Sequence, residues 1–529
     1  ALRVRWQPVM ADTHESAAHR AAAALASGRG TAADCTTLGW FRAERGETAE
    51  AASLFERAIA LNPREVDAMV GLAGMHRMVG RLRDAALRCD EAIALAPRYV
   101  EAWLERGYVM ATGGAMAESR RCHEMVIAIR PGHAAANAGL ARIAARDGEA
   151  QAARSYAQAA LATEPANPAA LAALASIELE AGDGAAARAL VEPALAHMAA
   201  PSPERMELLH IYGDSLSALG LVDAAFAAYA QAKQDFAALH ASIFAEREPH
   251  RQFIENILAG VTAMDVSAWR QDPLTEGRAS HVFVLGYPRS GNTLLENVLA
   301  SLPGITAIEE RPTLREADEA FLVGQSGLAR FTALDDAALE PYRSAYWQRV
   351  GAALGRDPSG NTLVDMDPLK SIRLPLIARL FPRARILLVR RDPRDVVWSC
   401  FRTSFALTNA AMDFTTLEGA ARHYDALMRL TEAAIAKLPL AVHEVHYHRM
   451  VQDFDATTKA ICAFAGLPWS ENLRRFDRTA RARGVSTASA RQVRRGLFDG
   501  TRQWEPYADY LAPVMPILTP WIEKLGYAG

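Results

Sequence analysis

His281-Val282-Phe283-Val284-Leu285-Gly286-Tyr287-Pro288-Arg289-Ser290-Gly291-Asn292-Thr293-Leu294-Leu295 is the stretch on which the fold turns. Its first five residues are a short apolar run closed by glycine. Length and flanks predict a buried parallel strand there. A Gly-rich loop follows, and 293–301 has the pattern of a helix. Strand, Gly-rich loop and helix start together are the anatomy of an anion cradle, because free backbone N–H groups and the positive end of the helix dipole face the same point.

The loop spacing is GxxxxG-x-T, as in a Walker-type phosphate loop, but Asn292 stands where that loop carries lysine. An NTP hydrolase uses the lysine on the β and γ phosphates, so its absence argues against ATP or GTP hydrolysis. Arg289 offers a positive charge instead, and its forked guanidinium suits a pair of phosphate or sulfate oxygens. A second strand is predicted at 385–389. It runs into Arg390-Arg391-Asp392-Pro393-Arg394-Asp395, a second candidate anion site at a strand's carboxyl end. A third strand is predicted at 441–445, with helices at 372–380, 393–405 and 419–437 between them. Strands alternating with helices predict an α/β domain of three layers around a parallel sheet, P-loop-like in its first turn. Eight arginines fall between 371 and 402 and nine between 471 and 504. The two anion sites on neighbouring strand ends predict a ligand with two separated anionic groups.

Toward the N-terminus the texture changes. Gly46, Gly80, Gly114, Gly148 and Gly182 are each 34 residues apart, and so are Pro63, Pro97, Pro131 and Pro165. A 34-residue period with small residues and helix–turn–helix patterning is the tetratricopeptide signature, and predicts an α-helical solenoid. Leu38-Gly39 falls on the first helix of a repeat, and Ala51, Phe55 and Ala58 on the second. Glycine and alanine are expected to let paired helices approach, with proline ending the second helix. A fifth repeat lies near 168–199, and a sixth, offset by four residues, carries Tyr212-Gly213, Gly220, Ala225 and Tyr229. Solenoids of this kind hold peptides or partner proteins in a groove. The predicted organisation is an N-terminal helical or flexible segment over 1–30, repeats over 31–240, a helical linker over 241–280 and the α/β domain over 281–529.

Composition narrows the function classes. Lys and Arg total 58 against 61 Asp and Glu, a formal charge of −3, which argues against a protein that coats nucleic acid. Five scattered cysteines, with no CxxC pair, argue against a disulfide framework or a structural zinc site and fit a reducing, cytoplasmic setting. No run of 18 apolar residues predicts a membrane span. The opening ALRVRWQPVM is too short for a secretory h-region, and Met10 is a candidate start. His443, His446 and His448 lack suitably spaced partners, so no metal is expected.

PRSGNTLL, then RLFPRARILLVRRDPRDVVWSCF, then TASARQVRRGLFDGTRQW resemble the sulfotransferase family. With the repeats in front, the chain resembles bacterial tetratricopeptide-repeat sulfotransferases, akin in the second half to protein-tyrosine sulfotransferases. The resemblance implies 3′-phosphoadenosine 5′-phosphosulfate as donor and a hydroxyl acceptor, with the repeats recruiting acceptor or partner. Pro288, Arg289, Ser290, Gly291, Asn292, Thr293 and Leu294 resemble the loop that holds the 5′-phosphosulfate. Arg391 and Ser399 match the 3′-phosphate residues, and Arg495-Gly496 a late segment covering the nucleotide. Ser489 is implied near the transferring group, and Glu310, second of the pair Glu309-Glu310, as the general base.

Two departures stand out. The family's Asp-Lys-x-Pro is Asp365-Met366-Asp367-Pro368 here, which leaves Lys370 or Arg373 to supply the charge at the leaving group. Relatives' Tyr-Glu is Tyr447-His448. A P-loop kinase or NTPase with repeats, or a scaffold with a decayed site, are the alternatives.

Overall fold

The computed structural model describes residues 11–267, 269, 281–324, 326–485, 487, 489–494 and 496–528. The chain divides into two compact units, Ala1–His197 and Met198–Gly529.

In the first unit a helix, Ala11–Ala26, is followed by five helix hairpins, from Ala32–Glu44 with Thr48–Leu61 to Pro168–Glu180 with Gly184–Ala196. The periodic glycines sit in the turn within each hairpin. Their φ values run from 78° to 84°, a left-handed conformation that costs glycine nothing. Close helix approach falls to other glycines. Phe55 is fully buried, and a Cβ on Gly39 or Gly71 would come within 2.7 or 2.5 Å of its ring. The proline of each repeat follows the second helix, as at Asn62-Pro63 after Leu61. One buried ion pair, Arg77 Nε to Glu105 Oε1 at 2.6 Å, joins successive repeats.

The second unit opens with a sixth hairpin, Pro203–Ala218 and Val222–Ala245, and a helix His250–Ala263. The sheet has five parallel strands: β1 (His281–Leu285), β2 (Ile305–Glu309), β3 (Thr362–Met366), β4 (Arg385–Arg390) and β5 (Ala441–His446), in the order β2-β3-β1-β4-β5. Alternate residues of β1 feed opposite layers. Phe283 and Leu285 pack with Ile386, Trp398 and Leu427, whereas Val282 and Val284 pack with Leu295, Val364 and Ile461. The chain leaves β1 toward β2 and leaves β3 toward β4, so the strand order reverses beside β1. Ligands of open α/β sheets sit at the carboxyl ends of strands at such a reversal.

Two strands escape the sequence reading. β2 is a half-exposed edge strand of five residues, Ile-Thr-Ala-Ile-Glu, whose apolar signal is weak. β3 carries the ionisable Asp365 as the fourth of its five residues, fully buried against Phe283 of β1. That aspartate accepts from Thr313 Oγ1 and Tyr346 Oη, each at 2.9 Å, and pairs with Lys370. A run broken by a charge looks like a loop until its partners are known.

Candidate active site at the carboxyl ends of the strands

The loop after β1 turns sharply into the helix Asn292–Ala300. Gly291 stands at φ 109°, and a Cβ there would approach Tyr447 Cδ2 to 2.7 Å. Asn292 does not reach for a ligand as a P-loop lysine would. Its Nδ2 donates back to Tyr287 O at 2.8 Å and ties the loop to its own start. The first-turn amides of this helix have no acceptor within it and point out of its N-terminus. Thr293 Oγ1 meets Thr487 Oγ1 at 3.0 Å, which brings the late segment over the loop.

Arg289 lies at φ 70°, a conformation L residues rarely adopt. Its guanidinium donates to Ser399 Oγ at 3.0 Å and Ser489 Oγ at 2.6 Å. Arg391, at the end of β4, donates through Nη1 to Arg289 O at 2.7 Å and through Nη2 to Gly500 O. Its guanidinium lies 4.9 Å from the ring centre of Tyr447, at the end of β5. No carboxylate among the described residues pairs with Arg289. Burial, and then the Arg391 charge, lower its pKa to about 10. Arg391 is 3.9 Å from Asp395 through Nε, and that atom is buried without a hydrogen-bond partner. A half-buried and a buried guanidinium group thus lie together with mostly neutral partners. Arginine held this way is poised for an anion.

The other arginines of that run do structural work. Arg390 pairs with Glu432 and Glu444, and Arg394 with Asp392 at 2.7 Å while covering Trp504. Arg373 pairs with Asp318 at 2.7 Å, and Arg385 donates to the Ala465 carbonyl. The basic run therefore contributes Arg391, not a broad patch, to this site.

A cavity of about 420 Å³ opens beside the loop. Arg289, Thr293, Ser489, Glu310, Asp367, Phe405 and Phe414 are among the residues that line it. Glu310 follows β2, its N–H donating to Met366 O at 2.7 Å, and then turns at φ 47°. Its carboxylate opens to the cavity. The surrounding protein, and then Asp367, Glu309 and Glu296, raise its pKa to about 7. A smaller cleft that also touches Arg289 is lined by Arg391, Tyr447 and Gly496.

The structure brings Arg289, Ser399, Ser489 and the loop together and places Glu310 on the same cavity. Arg495 lies outside the described residues. Lys370 is not on the cavity wall. It is 1% exposed, pairs with Asp365 and donates to Thr313 Oγ1 at 3.2 Å and Arg311 O at 3.3 Å. Three acceptors hold its ammonium inside the fold, so action on a leaving group would require that network to open. Met366 is fully buried with Val284 and Val364 and also stays off the wall. Cys400 is buried at Pro288 O, and burial pushes its thiol up to about 12, which makes it packing. Sequence reasoning missed Thr487, Asp367 and the ring of Tyr447 as parts of the site. Tyr447 was findable, because it ends a strand where ligands gather.

Residues 281–471 match the model of the sulfotransferase family. A protein of Aquifex aeolicus described as an uncharacterized protein is 28% identical over 254 residues, which are 46% of this chain and 33% of that protein. The chain therefore spans about a third of the length of that relative. Protein-tyrosine sulfotransferase 1 of Danio rerio is 23% identical over 270 residues, 46% of this chain and 72% of that protein. Among solved structures, the sulfotransferase domain of the Synechococcus PCC 7002 olefin synthase is 23% identical. It covers 45% of this chain and 91% of that one, with a TM-score of 0.33. The stretch of the second unit that matches the sulfotransferase-family model is thus residues 281–471, and helix hairpins with a 34-residue period precede it.

Proposed function

We propose that the protein is a sulfotransferase that takes a sulfuryl group from 3′-phosphoadenosine 5′-phosphosulfate to a hydroxyl acceptor, a tyrosine side chain of a protein or peptide being the favoured class. The observation that carries this reading is the pair of half-buried Arg289 and buried Arg391, held by serine hydroxyls and carbonyls beside a cavity that Glu310 also lines. The donor supplies an activated sulfuryl group on a phosphate leaving group. Its fit is supported by Arg391 Nε, buried without a hydrogen bond, and by the amides at the start of Asn292–Ala300. In this reading Arg289 and the loop amides hold the anionic oxygens, and Arg391 with Ser399 holds the second phosphate. Glu310 takes the proton of the acceptor hydroxyl as the oxygen–sulfur bond forms and the sulfur–phosphate oxygen bond breaks. The repeats would recruit the acceptor or a partner protein.

A second reading, a nucleotide-binding scaffold that does not turn over, is favoured by Met366 in the apolar core and by the enclosed Lys370. Calorimetry with adenosine 3′,5′-bisphosphate against ADP, followed by transfer of labelled sulfate to tyrosine peptides, tests both. Tight binding that needs the 3′-phosphate, together with transfer, supports the enzyme. Binding without transfer supports the scaffold, and indifference to the 3′-phosphate overturns both.

A further inference from the structure

Residues 403–411 leave the helix Pro393–Arg402 and supply Ser404, Phe405, Ala406, Thr408 and Ala410 to the cavity wall. They form neither helix nor strand, so no backbone ladder fixes them. Side chains of the sixth hairpin hold them instead. Lys233, on Val222–Ala245, donates from Nζ to Thr403 O at 2.7 Å, and its ammonium lies 5.8 Å from the ring centre of Phe405. Phe405 packs in a cluster with Met206, Phe236 and Phe244 of the same hairpin. Just beyond the hairpin, Arg247 Nη1 donates to Asn409 Oδ1 at 2.9 Å.

Lys233 is 5% exposed, and no carboxylate among the described residues pairs with it. Burial lowers its pKa to about 8. An ammonium buried against one carbonyl and one ring is a poor way to gain stability, since an apolar chain of similar volume avoids the desolvation cost. It is a good way to fix a carbonyl in place at the edge of a cavity.

We infer that Lys233 is a positioning residue for the acceptor wall, and that the last helical hairpin braces that wall from behind rather than being only an appended recruiting module. The word acceptor rests on the sulfotransferase reading; the clamp on 403–411 does not. The residues proposed for the donor lie in the loop after β1 and at the ends of β4 and β5, whereas the hydrogen bond of Lys233 goes to Thr403 O.

The test compares full-length wild type with Lys233→Met, Lys233→Arg and the exposed clamp variant Arg247→Ala. Deuterium uptake of 403–411 reads the clamp. Calorimetry with adenosine 3′,5′-bisphosphate reads the donor side, and sulfate transfer to p-nitrophenol, an aryl probe suited to the Phe405 and Phe414 wall, reads the acceptor side. Loss of one buried hydrogen bond predicts that Lys233→Met raises uptake by about tenfold and raises the KM for p-nitrophenol by about tenfold, with kcat little changed. The nucleotide Kd stays within about twofold, Lys233→Arg restores most of both effects, and Arg247→Ala gives a smaller increase in uptake. Unchanged uptake in Lys233→Met overturns the inference. So does a nucleotide Kd that moves together with the acceptor KM, because the residue would then act on the whole domain. Absence of nucleotide binding by the wild type would instead sink the sulfotransferase reading and leave the uptake result to decide the clamp.

Discussion

Arg77 in the repeats and Arg289 in the α/β domain are both arginines inside the fold, but their surroundings differ. Arg77 meets the carboxylate of Glu105 at 2.6 Å. Burial works against its charge, but Glu105 more than offsets this and leaves its pKa above the ordinary value. Arg289 meets serine hydroxyls and a second arginine, and its pKa is lowered to about 10. A charge that is neutralised within the fold belongs to the architecture. A charge left without a counter-ion is the mark of a site that expects one from outside.

The sharpest way to break this contrast is to remove each arginine's partner or the arginine itself. Arg289→Ala should lower kcat/KM for transfer by about 10³-fold, as loss of one preorganised donor to a developing charge does, with little change in thermal stability. A stable variant with normal transfer would end the proposal for the loop. Glu105→Ala should do the opposite. Leaving Arg77 buried and unpaired should cost the first unit about 3 kcal/mol, seen in its denaturation midpoint, while affinity for adenosine 3′,5′-bisphosphate holds.

Glu310→Gln should reduce transfer by about 10²-fold without weakening nucleotide binding. As the proposed base, with its pKa raised to about 7, Glu310 would serve as a carboxylate only above that value. Transfer in the wild type should therefore fall as pH drops through about 7, and this acid limb should vanish from the residual activity of Glu310→Gln. Gly71→Ala is the smallest change. Its Cβ would meet the Phe55 ring at 2.5 Å, an overpacking worth about 1–2 kcal/mol in the first unit alone. A shift in nucleotide affinity with either repeat variant would show that the two behaviours are not separable.

Much of the fold was legible before any coordinate. The 34-residue beat yields the hairpins, although the reason was partly misassigned. The periodic glycines serve left-handed turns, and off-beat Gly39 and Gly71 make room for Phe55. The strand, loop and helix from His281 to Ala300 stand where the pattern puts them. Three of five strands were visible. β2 and β3 were not, one because it is a short edge and the other because Asp365 interrupts its apolar run. In the site, Arg289 and Glu310 emerge as a loop cation and an acid after the loop helix. Among the described residues they are two of the three non-glycine positions at positive φ. Counting arginines overstated the basic surface, because spacing does not show which of them already face a carboxylate.

What the amino-acid order determined by itself is whatever depends on local periodicity: the repeat, the strand–loop–helix turn at Gly286–Asn292 and the alternation of helix with strand. These follow from near-neighbour sterics and from which face of each element is apolar. Tertiary structure decided the use of each charge. Arg390 and Arg391 are adjacent in the chain, yet one is neutralised by Glu432 and Glu444 and the other reaches the loop after β1. Lys370 is enclosed with Asp365, and Lys233 crosses from a repeat helix to the rim of the cavity. Electrostatic function depends on partners distant in sequence and on burial, and both exist only once the chain has folded.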